Sequence, residues 1–85
     1  MPYIKQKDRD RFKDLESELI FAVPQNAGEL NYLFTRIANQ YLFKKNENYQ
    51  AFNDLIGALE GAKMELNRRR VAPYEDQKIK ENGDL

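Results

Sequence analysis

Three successive arginines, Arg68, Arg69 and Arg70, stand shortly before Tyr74. A guanidinium keeps its charge at any working pH and offers a planar fork to phosphate oxygens. A tyrosine nearby adds a ring on which a base can stack and a hydroxyl that can bond. Together these residue types hold an anion that carries an aromatic group, and a small nucleotide is the matching class. The candidate ligand-binding residues are Arg69, Arg70 and Tyr74, with Arg36 contributing from another helix. Pro73 fixes the chain direction just before the ring. The competing reading is structural. Cations at a helix C-terminus complement its dipole, and Arg69 and Arg70 can pair with Glu65, Glu75 or Asp76 as solvated ion pairs of small worth.

Groups that would transform a ligand are missing from this pattern. The sequence has no His and no Cys. That removes the commonest acid–base residue, the usual zinc ligands, a thiol nucleophile and any disulfide framework. Asp54, Glu60 and Glu65 do not fall at the i, i+3 or i, i+4 spacing that would pair two of them on one helix face. The all-helical nucleotide pyrophosphohydrolases are similar in size and class, but the pairing of a Glu-x-x-Glu with a Glu-x-x-Asp that holds their magnesium is not found here. Gly57 and Gly61 lie inside a helical pattern and lack the spacing of a phosphate loop. The expectation is a binding protein with no catalytic residue, metal or cofactor.

Lys plus Arg number 14 and Asp plus Glu number 14, so the formal net charge is zero. A nucleic-acid coat is usually strongly basic, so nucleic acid is a poor partner. A hydrophobic share of 41% with 33% charged residues suits a helical domain rather than a disordered tail. The opening Met1-Pro2-Tyr3-Ile4-Lys5 carries no apolar leader, and no window approaches the roughly 18 apolar residues of a membrane span. A cytoplasmic protein is expected.

Three helices and one short one must position these residues. Phe12, Leu15, Leu19, Ala22 and Val23 mark one stripe of a helix over 8–23, stopped by Pro24. Asn26 and Glu29 have capping-box spacing and open a second helix over 27–45. Its stripe is Leu30, Leu33, Phe34, Ile37, Ala38, Tyr41 and Leu42. Asn46-Glu47-Asn48 is too short for anything but an antiparallel hairpin turn. The third helix, 49–71, carries Phe52, Leu55, Ile56, Leu59, Ala62 and Leu66. Pro73 ends or kinks it, and a short helix over 74–80 follows. The fold class is all-α: one domain over 1–85 with three main helices, a central antiparallel hairpin and the first helix packed across it. Ile37 belongs in the apolar seam.

The opposite faces point to assembly. Tyr32 and Phe43 lie away from the stripe of the second helix, beside Arg36 and Asn39, and aromatics with arginine are enriched at interface centres. The alternative is that the first helix covers them. On the third helix, Gly57 and Gly61 stack four residues apart beside Met64. Each glycine costs about 1 kcal/mol against alanine in a helix interior, so a backbone or a ligand is expected to approach closely there. A homo-oligomer supplies such a backbone. At this size, without disulfide or metal, self-association is also a common route to stability. Tyr32, Phe43, Gly57, Gly61 and Met64 are therefore the candidate interface.

Several stretches carry a resemblance: Met1-Pro2-Tyr3-Ile4, Leu30-Asn31-Tyr32, Asn48-Tyr49, residues 53–60, Val71-Ala72-Pro73-Tyr74-Glu75-Asp76 and residues 78–84. Over nearly the whole chain they look like a family of small uncharacterised proteins from bacteria and their phages. The resemblance implies a bacterial or phage-infected host cell and supplies no functional residue. By analogy of size and setting, a phage protein of this kind disarms a host defence by sequestering a nucleotide messenger. Two readings stand. One is a homo-oligomeric trap for a small anionic nucleotide. The other is an inhibitor or adaptor that docks on a host protein through the Tyr32–Phe43 face.

Overall fold

The computed structural model describes residues 3–85 and is all-α, with no strand among the described residues. The chain divides into two units, Tyr3–Phe52 and Asn53–Leu85. Each is described by itself below.

The first unit opens with two 3-10 turns, Gln6–Asp8 and Asp10–Phe12, before α1, Lys13–Phe21. The α-helix expected from residue 8 therefore starts five residues late. No side chain caps either turn or α1, so nothing satisfies the free amides that an earlier α-helical start would leave. Arg9 instead folds back, with Nε and Nη2 donating to the Ile4 carbonyl at 3.3 and 3.2 Å. Α1 ends at Phe21, the Ala22 amide closing it on the Glu18 carbonyl, two residues before Pro24.

The second helix, α2, spans Ala27–Lys44. Asn26 caps it: Oδ1 accepts from the Glu29 amide at 2.9 Å. Glu29 reciprocates one residue further back than a capping box requires, accepting from the Gln25 amide at 2.9 Å. At the other end the Asn46 amide donates to the Phe43 carbonyl and the Glu47 amide to the Leu42 carbonyl, at 3.3 and 2.8 Å. This pair of bonds is a Schellman closure, which needs a left-handed residue just past the helix. Asn46 supplies it at φ 61°, and Glu47 follows at φ 33°. Asn tolerates this region better than other residues with a side chain.

Asn48 then works in two directions. Its Nδ2 donates to the Lys45 carbonyl at 2.9 Å, and its Oδ1 accepts from the Ala51 amide at 2.9 Å. It thereby ties the end of α2 to the start of α3, Tyr49–Leu66, which continues into the second unit.

The second unit departs from expectation at Pro73. The helix neither stops nor leaves a gap. After Leu66 it passes through a π-helical segment, Asn67–Val71, and straight into α4, Ala72–Asn82. The Ala72 amide donates to the Asn67 carbonyl, five residues back. In an unbroken α-helix the Pro73 ring would press on the carbonyl four residues earlier. One π turn inserts an extra residue and moves that carbonyl out of register. Leu66, Val71 and Ala72 all keep right-handed helical dihedrals. Gly83, at φ 89°, closes α4, its amide donating to the Ile79 carbonyl.

Burial is sparse. Among the described residues only Ala51 is buried, at 2% exposed. Of the residues expected to fill the apolar seam, Leu33, Ala38, Tyr41, Leu42 and Leu55 are half-buried, whereas Ile37 is 62% exposed, and Leu30, Phe34, Phe52, Ile56 and Leu59 are also exposed. The amphipathic pattern is present and is only partly covered. Among the described residues, no helix is long and apolar enough to cross a membrane.

Candidate functional site

All three arginines of the triplet lie in the π segment, Asn67–Val71. A π turn shifts every following side chain around the helix axis, so this segment sets which faces Arg68, Arg69 and Arg70 occupy. Glu65, one turn earlier on α3, organises two of them. Its Oε1 accepts from Arg68 Nη2 at 2.6 Å and forms an ion pair with Arg69, Nε lying at 3.1 Å. The Glu65 side chain is 17% exposed, whereas both arginines are mostly in solvent. The structural reading of the triplet therefore holds for Arg69, with Glu65 as its partner.

Arg70 is different. Among the described residues it makes no ion pair, and neither does Arg36. Tyr74 is exposed on α4, and its cationic neighbour is Lys78, with Nζ 5.5 Å from the ring centroid. Lys78 also pairs with Glu81 at 3.2 Å. The sequence placed arginine beside this ring and missed Lys78. The spacing of four between Tyr74 and Lys78 was the available signal, since residues four apart stack on one helix face. Arg70 precedes Tyr74 by the same spacing. The candidate cationic segment is thus Arg70, Tyr74 and Lys78, with Arg68 and Arg69 held on Glu65. Arg36 sits on α2, in the other unit.

Tyr32 and Phe43 are both accessible on α2, where they line separate grooves. Tyr32 lines a groove of about 250 Å³ with Ala22, Val23, Pro24, Glu29 and Leu33. Phe43, 85% exposed, lines another of about 480 Å³ with Asn39, Leu42, Asn46 and Glu47. The two aromatics are separated along α2 by about 16 Å at 1.5 Å per residue. The second groove is built on the left-handed turn at Asn46 and Glu47, whose backbone geometry no residue pattern announced. Met64 is exposed on α3. A β-carbon built on Gly57 or Gly61 meets nothing within 4 Å. The close approach expected at these glycines is therefore not made by the described part of the chain itself.

Comparison with known proteins adds one relationship. A family model described as Domain of unknown function (DUF6899) matches residues 1–85, the full length of the chain. The chain belongs to this family. No curated protein and no solved structure matches it. For a DUF6899 chain, the residues to test are therefore those that geometry picks out: Arg70, Tyr74 and Lys78 on the continuous helix, and the exposed faces of α2 and α3.

Proposed function

We propose that this protein is a non-enzymatic binding protein that works as a homo-oligomer and holds a small anionic ligand of the nucleotide class. The observation that carries the ligand reading is the pairing on one continuous helix: Lys78 lies against Tyr74, while Arg70, one turn earlier, has no ion-pair partner among the described residues. A guanidinium that no described carboxylate holds and an aromatic ring with a cation against it suit a phosphate joined to a base. Arg36 completes the site if a neighbouring copy brings it there. The absence of His and Cys from the sequence favours holding the ligand over converting it. A bacterial or phage setting rests on the resemblance of the sequence stretches quoted above, and sequestration as an anti-defence act rests on analogy of size and setting.

Calorimetric titration against a panel of mono-, di- and cyclic nucleotides tests this reading. Saturable binding that is lost in Arg70→Ala supports it, and silence across the panel with the assembly intact removes it. A second reading is favoured by Phe43, which projects into solvent beside a 480 Å³ groove. There the protein is an inhibitor or adaptor whose ligand is another protein.

A further inference from the structure

We propose that Asn82–Gly83 is a site of spontaneous covalent modification, deamidation through a cyclic imide, and that the last turn of α4 sets its rate. The proposal uses only residues of the second unit and stands apart from the ligand reading.

Asn82-Gly83 is the one Asn-Gly pair in the sequence. The side-chain carbonyl carbon of an asparagine can close a five-membered ring on the backbone nitrogen of the next residue. Most following side chains obstruct that approach, and glycine has no β-carbon to do so. The Gly83 nitrogen gives up its proton and bonds to Asn82 Cγ. The Cγ–Nδ2 bond breaks, and Nδ2 takes the proton and leaves as ammonia. Water then adds to one of the two ring carbonyls and opens the imide. The product is aspartate at position 82, or its isomer linked to Gly83 through the side chain. Water is the one co-reactant, and nothing is oxidised or reduced.

The fold holds this nitrogen back. Asn82 is the last residue of α4, and the Gly83 amide donates to the Ile79 carbonyl at 2.8 Å. Ring closure needs the Cα–C bond of Asn82 rotated out of its helical setting, which breaks that hydrogen bond. The turn must therefore open first, and helix ends are where local opening costs least. Gly83 closes the helix at φ 89°, a conformation that glycine adopts without strain. One residue thus both closes α4 and makes its opened end reactive.

The change does not reverse when the turn closes. Aspartate adds a negative charge at the helix C-terminus, where the dipole disfavours it, next to Glu81 and near Asp84. The isomer also lengthens the backbone by one carbon and breaks the helical repeat at position 82. The same turn carries Glu81, which holds Lys78 Nζ at 3.2 Å beside the Tyr74 ring. Modification therefore loosens that ion pair.

The test holds the full chain at mildly alkaline pH, in buffer and in guanidinium chloride, and follows intact mass, peptide maps and enzymatic isoaspartate release. Conversion at position 82 is expected in both, roughly tenfold slower in buffer because the closed turn protects it. Lys80→Gly weakens the last turn and should speed conversion in buffer about fivefold, while leaving the rate in denaturant unchanged. Asn82→Gln, whose longer side chain closes the ring far less readily, should abolish the change at this position. A chain that converts at another asparagine first, or never at position 82, would overturn the site. Equal rates in buffer and denaturant, or a rate in buffer that Lys80→Gly does not move, would overturn the control by α4.

Discussion

Asn48 Oδ1 accepts from the amide of Ala51 at 2.9 Å, and Ala51 is the one buried residue among those described. A buried amide without a partner is costly, so the deepest point of the chain depends on one side chain three residues away. Asn48 also holds the Lys45 carbonyl. Replacing it with alanine removes both bonds. Asn48→Ala should destabilise the folded protein by about 1–2 kcal/mol, read as a lower melting temperature at fixed concentration. An unchanged melt would mean that the turn does not carry the order assigned to it.

The π segment gives a sharper sign. Pro73→Ala restores a donor and removes the ring that excludes α-helical register. The helix from Tyr49 to Asn82 should then close its extra residue, with the Ala72 amide shifting from Asn67 to Arg68. Stability should rise, by up to about 3 kcal/mol if the proline is fully penalised in the present helix. Backbone chemical shifts and a thermal melt check both halves. A π segment that persists without the proline would show that something other than Pro73 holds it open.

Glu65 governs how many arginines remain for a ligand. Glu65→Gln weakens the hold on Arg68 and Arg69. The stability loss should stay below about 1 kcal/mol, because the two arginines are largely in solvent. Affinity for whichever nucleotide of the mono-, di- and cyclic panel binds should rise severalfold in calorimetry, while Arg70→Ala should weaken it at least tenfold. Equal affinity in both variants would move the site away from this helix.

The sequence carried the helix boundaries wherever a side chain decides them. Asn26 with Glu29 marked the start of α2, whereas α1 ends at Phe21, before the residue next to Pro24. The sequence failed where backbone register decides. Pro73 reads as a break because its clash is local, yet one π turn relieves that clash without interrupting the helix. The site was half legible. Arg69 was open to a Glu65 pairing from spacing alone, and Lys78 was within reach of Tyr74 by the same spacing, but only arginines were expected beside the ring. The stripes of α2 and α3 were plain. What covers them was not, because apolar periodicity specifies that a face needs a partner without naming the partner.

The glycines separate two accounts of α3. With open space around Gly57 and Gly61, alanine at either position should simply add helix propensity, about 1 kcal/mol, in a chain with no neighbour there. If a second backbone approaches that line, Gly57→Leu keeps helicity and blocks association. Sedimentation and circular dichroism on Gly57→Ala and Gly57→Leu decide between them. Full association in the leucine variant would place the contact on another face.

Sedimentation equilibrium of the full chain at micromolar concentration tests the self-assembly claim most directly. The account predicts a helical species of at least twice the 10.1 kDa chain mass. A helical species at the mass of one chain would contradict it.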